Sequence, residues 1–237
     1  MTFHYRDTVT MGSADTGTVS VGFTERRLDL GDLAPAAVRE AALAEVAQAT
    51  GATPYLMRQV HGARVHVVDP ESGPESGSDP VPDADALVTA AAAVALIARA
   101  ADCVPVLLAS DAGPVGAVHA GREGVRLGVV PAALERLRSL GAGAVRAWVG
   151  PHICGGCYEV PEPLRAEVSA AVPATWATTS WGTPALDLGA GVRAQLTAAG
   201  CTVVEVGGCT REDPELHSHR RDGAAAGRMA GVVWRTR

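Results

Sequence analysis

The sequence contains no lysine and no asparagine, and all twenty of its basic residues are arginine. The first absence removes Schiff-base enzymes, the P-loop lysine and the pyridoxal phosphate linkage, and the second removes a Cys-His-Asn triad. Long apolar runs are missing as well. Each is broken by Arg, Asp or Pro before it is long enough to cross a bilayer, so no membrane partner is expected. Met1-Thr2-Phe3-His4-Tyr5-Arg6-Asp7 has no apolar core, which predicts no signal peptide and a cytoplasmic location. Without export, the five cysteines read as reduced thiols and not as a disulfide framework. Excess positive charge is also lacking. A formal net charge of −6 argues against a sequence-independent grip on nucleic acid, yet leaves room for a local arginine pocket that takes one phosphate.

What is present suits one large domain over residues 1–237, with 47% hydrophobic and 19% charged residues. Apolar periodicity predicts strands over 19–24, 84–89, 94–98, 144–149 and 202–206, and helices over 35–50, 124–140, 163–172 and 191–199. Segments 55–60 and 64–68 read as a hairpin-like pair around His61-Gly62. Residues 69–82, dense in Pro, Gly, Ser and acids, read as a solvated loop able to act as a lid. This mixed order predicts an α+β domain with mixed β-sheets covered by helices.

The chain is organised around 100–121. Two apolar runs, one following Cys103 and one ending in Val118-His119-Ala120-Gly121, are separated by the turn Ser110-Asp111-Ala112-Gly113-Pro114. Antiparallel pairing across that turn brings Cys103 and His119 together. A thiolate beside an imidazole is either part of a zinc site or a nucleophile with its base. His61 is a third candidate, and Cys plus two His leaves one coordination position free, as a catalytic zinc requires. Asp85, at a strand start, can orient a ligand imidazole or bind ribose hydroxyls. Arg220, Arg221 and Arg228, with glycines nearby, suit a phosphate or carboxylate cradle. Cys154-Gly155-Gly156-Cys157 lacks a second Cys pair and a βαβ context, so it reads as structural. His217 and His219 read as exposed polar groups, with copper binding at His-x-His as the alternative.

Gln59-Val60-His61-Gly62, Ala101-Asp102-Cys103-Val104-Pro105-Val106, Val118-His119-Ala120-Gly121, Gly150-Pro151 with Cys157-Tyr158-Glu159-Val160, and Ser218-His219-Arg220-Arg221-Asp222 with Gly227-Arg228 together resemble the YfiH family. This family is also called laccase-domain or polyphenol oxidase proteins, and the likeness runs from Gly22 to Trp234. It implies a layered α/β sandwich that phosphorolyses adenosine, inosine or methylthioadenosine and deaminates adenosine, with zinc, or alternatively copper, as cofactor. The implied metal ligands are His61, Cys103 and His119, the set the spacing also selects. The implied catalytic residues are Cys103 and His119, with Asp85 or Glu159 as acid-base group because the His-x-Glu of zinc deaminases is absent. Substrate binding falls to Arg26, Tyr158, Arg220, Arg221 and Arg228, with nucleoside and phosphate as partners. Two departures stand out. Arg122-Glu123 follows His-Ala-Gly where the family usually has Trp, and the Gly-rich loop after Gly22-Phe23-Thr24-Glu25-Arg26 is shortened and lacks its usual Asn.

Three rivals remain open at this level. Cys103 with His119 as base would make an amide hydrolase acting on cell-wall precursors. A copper polyphenol oxidase needs many histidines, and the chain has seven. A partner-binding module would keep the fold without turnover.

Overall fold

The computed structural model describes residues 2–10, 17–70 and 81–236. Most of the 69–82 loop read as a lid lies outside the described residues. In chain order the elements are β1 (Phe3–Thr10), β2 (Thr18–Thr24), α1 (Ala36–Thr50), β3 (Thr53–Tyr55), β4 (Val65–Val67), β5 (Ala86–Thr89), β6 (Val94–Ala100), β7 (Val104–Ser110) and β8 (Val115–Ala120). There follow α2 (Arg122–Leu127), α3 (Val129–Ser139), β9 (Val145–Val149), α4 (Glu162–Ala171), β10 (Trp176–Thr178), β11 (Pro184–Leu186), α5 (Leu188–Ala198), β12 (Thr202–Glu205), α6 (His219–Asp222) and β13 (Met229–Arg235). Among the described residues, no helix is long and apolar enough to cross a membrane.

The strands form two large mixed sheets, ordered β1-β2-β13-β6-β3 and β12-β9-β7-β8-β5-β4, with β10 and β11 as a separate hairpin. The sheets pack face to face, where Phe23, Leu96 and Val233 of the first meet Leu107, Ala117 and Trp148 of the second. Helix α1 covers the outer face of the first sheet, setting Ala42 and Val46 against Ile97, Val232 and Trp234. Helices α2 to α5 cover the outer face of the second, with Leu134, Leu137, Val192 and Leu196 against Val106, Leu108 and Val118. Both faces of the central strands are therefore covered, which is why β6, β7 and β8 are buried at every position and read as apolar runs interrupted only near the ends, by Arg99 in β6, Ser110 in β7 and His119 in β8.

The α+β class and the mixed sheets agree with the expectation, and four local readings need correction. Segments 55–60 and 64–68 do not form a hairpin: β3 pairs parallel with β6 in the first sheet and β4 pairs parallel with β5 in the second. The chain crosses between sheets at His61. The 124–140 helix is two helices, because Gly128 adopts φ +79° and closes α2 with its N–H on the carbonyls of Gly124 and Val125. The loop read as carrying Trp176 and Trp181 contains a short hairpin: Trp176 opens β10, and Trp181 lies in the turn that joins it to β11. Strand β1 is absent from the sequence reading because its side chains are alternately half-buried and exposed, so it carries no apolar run.

Candidate metal centre and substrate cavity

Strand parity aims the site. Along β7 and β8, Val104, Val106, Val118 and Ala120 face the helices, whereas Leu107 and Ala117 face the other sheet. Successive side chains alternate, so Cys103 and His119 belong to the inter-sheet side at one end of their strands. β5 pairs with β8 in the register Ala86↔Val118 and Leu87↔Ala117, and one step further Asp85 stands beside His119. The two main chains are joined there by His119 N–H on the Asp85 carbonyl at 2.8 Å.

His61 arrives from the crossover between sheets with φ +61°, a conformation a non-glycine residue adopts only when its surroundings hold it. The buried Asp85 carboxylate does the holding. It accepts the amides of His61 at 3.0 Å and Gly62 at 2.6 Å, and Nδ1–H of His119 at 2.9 Å. One carboxylate thus holds the backbone of His61 and the ring of His119, and it sets the tautomer of His119, leaving Nε2 as its ligand atom. The donor atoms of His61, Cys103 and His119 lie within 4.8 Å of one another.

Charge within the cluster is shared. Burial opposes a thiolate at Cys103, but the imidazoles of His119 and His61 beside it pull the thiol down to about 6. Burial opposes a cation at His119, but the Cys103 thiolate and Asp85 push it up to about 9. Burial likewise opposes charge on Asp85, and its bonds to His119, Gly62 and His61 still hold it below the usual carboxylate range.

A sulfur and two nitrogens from three elements fit a zinc ion with one open position. Gly121 supplies independent support for that fit. A Cβ built there would lie 2.9 Å from His61 Cδ2, 3.3 Å from Cys103 Sγ and 3.5 Å from His119 Cε1, so a glycine keeps the space between the ligands clear.

All three ligands line a cavity of about 840 Å³, together with Arg122, Tyr158, His219, Arg220 and Arg228. That volume suits a small molecule. Arg220 stacks its guanidinium 4.7 Å from the Tyr158 ring centre and donates to the Glu159 carbonyl at 2.8 Å. Its amide is held at 2.7 Å by Asp102, which has φ +90° and also accepts the Thr210 hydroxyl at 2.6 Å. Burial and the Cys103 thiolate push the Tyr158 phenol up, while Arg122 and Arg220 pull against them.

Other sequence candidates lie elsewhere. Arg26 donates to the carbonyls of Pro214 and Leu216 and pairs with Asp222. Arg221 is bonded to the carbonyls of Thr210, Asp213 and Leu216 and to Asp222. Both tie down the segment that delivers Arg220. Glu159 is exposed, accepts Trp181 Nε1–H at 2.7 Å and lines, with Cys157 and Arg211, a smaller hollow that adjoins the cavity across Arg220. His217 is buried with neither ring nitrogen hydrogen-bonded, contrary to its reading as exposed, whereas His219 is exposed at the cavity wall. The sequence reading missed Asp102 and Arg122 as cavity residues. Both are immediate neighbours of site residues, Cys103 and Gly121 respectively, and that adjacency is the signal that could have found them.

Comparison with known proteins agrees with this architecture. A family model described as multi-copper polyphenol oxidoreductase laccase matches residues 16–236. Purine nucleoside phosphorylase ORF3 of Streptomyces griseus is 52% identical over 182 residues, 75% of this chain and 72% of that protein. Purine nucleoside phosphorylase Rv2149c of Mycobacterium tuberculosis is 45% identical over 207 residues, 86% of this chain and 80% of that protein. The crystal structure of Neisseria meningitidis protein NMB0706 superposes with a TM-score of 0.82 at 26% identity, covering 98% of this chain and 99% of that one. YfiH of Bacillus licheniformis shares the fold with a TM-score of 0.80 at 24% identity over 92% of this chain and 93% of that one. Sequence blocks, sheet topology and these relatives lead to one assignment: the chain belongs to the laccase-like YfiH family, whose members include proteins named purine nucleoside phosphorylase.

Proposed function

We propose that this protein is a zinc-dependent purine nucleoside phosphorylase acting on adenosine, inosine or methylthioadenosine, with adenosine deamination as a second activity of the same cavity. The observation that carries the reading is that three ligands for one ion and the arginines Arg122, Arg220 and Arg228 line a single cavity. Relatives named purine nucleoside phosphorylase support it. When bound, zinc supplies a Lewis acid that withdraws electron density from a substrate oxygen or nitrogen.

The chain's own residues do the rest. Arg122, Arg220 and Arg228 hold hydrogen phosphate, whose oxygen forms the new C–O bond at the anomeric carbon as the glycosidic C–N bond breaks; the base leaves neutral, carrying the proton that the phosphate gives up. Tyr158, kept protonated by burial, donates a hydrogen bond to the departing purine. Asp85 stays ionised and fixes His61 and His119; it positions ligands and moves no proton. Glu159, outside the cavity, plays no acid-base part.

A second reading has one observation behind it: the Cys103 thiolate beside the raised His119 is also the arrangement of a cysteine nucleophile with its base. A polyphenol oxidase needs a cluster of copper ions, yet among the described residues His61 and His119 are the only imidazoles in a metal-ligating group. Chromatography of zinc-loaded protein incubated with adenosine separates these. Adenine formed only with phosphate supports phosphorolysis, and inosine formed without phosphate supports deamination. Neither product, together with an acyl group trapped on Cys103 in a parallel incubation with an activated ester, favours the hydrolase.

A further inference from the structure

A second cluster of ligand-type side chains lies outside the catalytic machinery. We propose that Cys154, Cys157, Cys209 and Glu212 bind a second zinc-class divalent ion in a closed, structural site. Their sulfur and carboxylate atoms lie within 4.8 Å of one another, and no substrate-facing role uses them.

The backbone is already shaped for it. Cys154 and Cys157 sit three apart on a turn in which the amides of Cys157 and Tyr158 both donate to the Cys154 carbonyl at 3.0 Å. Cys209 and Glu212 sit three apart on a second turn with the same pattern, where the amides of Glu212 and Asp213 donate to the Cys209 carbonyl at 3.1 and 2.9 Å. A bridge between His152 and Cys209 presses the two turns together, through His152 N–H on Gly208 O at 3.3 Å and Thr210 N–H on His152 O at 3.1 Å. Two ligand pairs at this spacing on facing turns are the layout of a structural zinc site. The second pair is invisible in sequence because it lies about fifty residues away and ends in Glu instead of Cys.

The local contacts agree. The Cys154 amide donates to Cys209 Sγ at 3.5 Å, as backbone amides do to zinc-bound sulfur, and the Cys157 thiol reaches Glu212 Oε1 at 3.3 Å. Arg211 places a guanidinium nitrogen 3.4 Å from the Cys157 carbonyl, a positive charge beside a site that gathers negative ligands. Four protein ligands leave no open position, so this ion would hold structure, in contrast to the three-ligand centre. What it would hold is the cavity wall. Tyr158 directly follows Cys157, and Thr210, next to Cys209, anchors the Asp102 that carries Arg220.

The test counts zinc in the full chain, purified under reductant, loaded with zinc and dialysed. Expected are two zinc ions per chain, one in His61→Ala and one in Cys209→Ser, with circular dichroism showing both variants folded. In the exposed-ligand variant Glu212→Gln, which leaves the thiols in place, the affinity of the second ion should fall at least about tenfold. Cobalt loaded into His61→Ala should show thiolate-to-cobalt charge transfer that Cys209→Ser removes. A single zinc per chain, abolished by His61→Ala and untouched by Cys209→Ser, overturns the proposal. So does a disulfide among Cys154, Cys157 and Cys209 in the zinc-loaded protein. Loss of the first ion alone would instead count against the proposed phosphorylase centre.

Discussion

Asp85 and His119 stand side by side across β5 and β8, with carboxylate and Nδ1 2.9 Å apart, and the same carboxylate caps the amides of His61 and Gly62. Asp85→Asn cannot serve all three donors, since its NH2 would face an N–H. The expected result is a 10- to 100-fold loss of zinc affinity, roughly the effect of removing a partner that orients a ligand. Competition with a chromophoric chelator measures it, and unchanged affinity would show that the imidazoles are held without Asp85.

Gly121→Ala tests the space between the ligands. Its φ of −76° is open to alanine, so the fold should survive, but the added methyl would sit 2.9 Å from His61 Cδ2. Expected are native circular dichroism, loss of the ion at His61, Cys103 and His119, and turnover at least about 100-fold lower.

The arginines should separate into two classes. Arg220 lines the cavity, so Arg220→Ala should raise the KM for phosphate by about 10- to 100-fold, the range of one charge-assisted hydrogen bond. Arg221 holds the carbonyls of Thr210, Asp213 and Leu216, so Arg221→Ala should instead lower stability by about 1–3 kcal/mol in denaturant unfolding. Equal effects of both on KM would remove this distinction.

A pH dependence follows from the shared charge at Cys103. Its thiol is lowered to about 6, so in metal-free protein the thiolate is present above that pH and is lost as pH falls through it. Iodoacetamide alkylation of Cys103, followed by peptide mass spectrometry, should therefore rise with a midpoint near pH 6, whereas an ordinary thiol titrates near 8.5. Zinc should suppress it. A midpoint near 8.5 would mean the imidazoles do not stabilise the thiolate.

Much of this site could be read from the chain because a short hairpin carries it. Cys103 and His119 flank one turn, and pairing β7 with β8 brings them together whatever the rest of the molecule does. His61 is recognisable as a ligand, although its setting is not: the crossover between two sheets and the Asp85 carboxylate that holds its amide in a left-handed conformation both come from distant segments. Asp85 showed its type but not its partners, since the register that places it beside His119 joins segments thirty-four residues apart. Arg26, Arg220 and Arg221 look alike in sequence. Only the structure shows that Arg220, though it also donates to the Glu159 carbonyl, lines the cavity, while Arg26 and Arg221 lie outside it on other carbonyls and Asp222.

The central claim is that His61, Cys103 and His119 close on one ion and leave a position open towards the cavity. Anomalous diffraction at the zinc edge from a zinc-soaked crystal tests it most directly. The account predicts a peak bonded to those three side chains, with its fourth ligand a water or a soaked nucleoside. No peak there, or a fourth ligand from the protein, would contradict it.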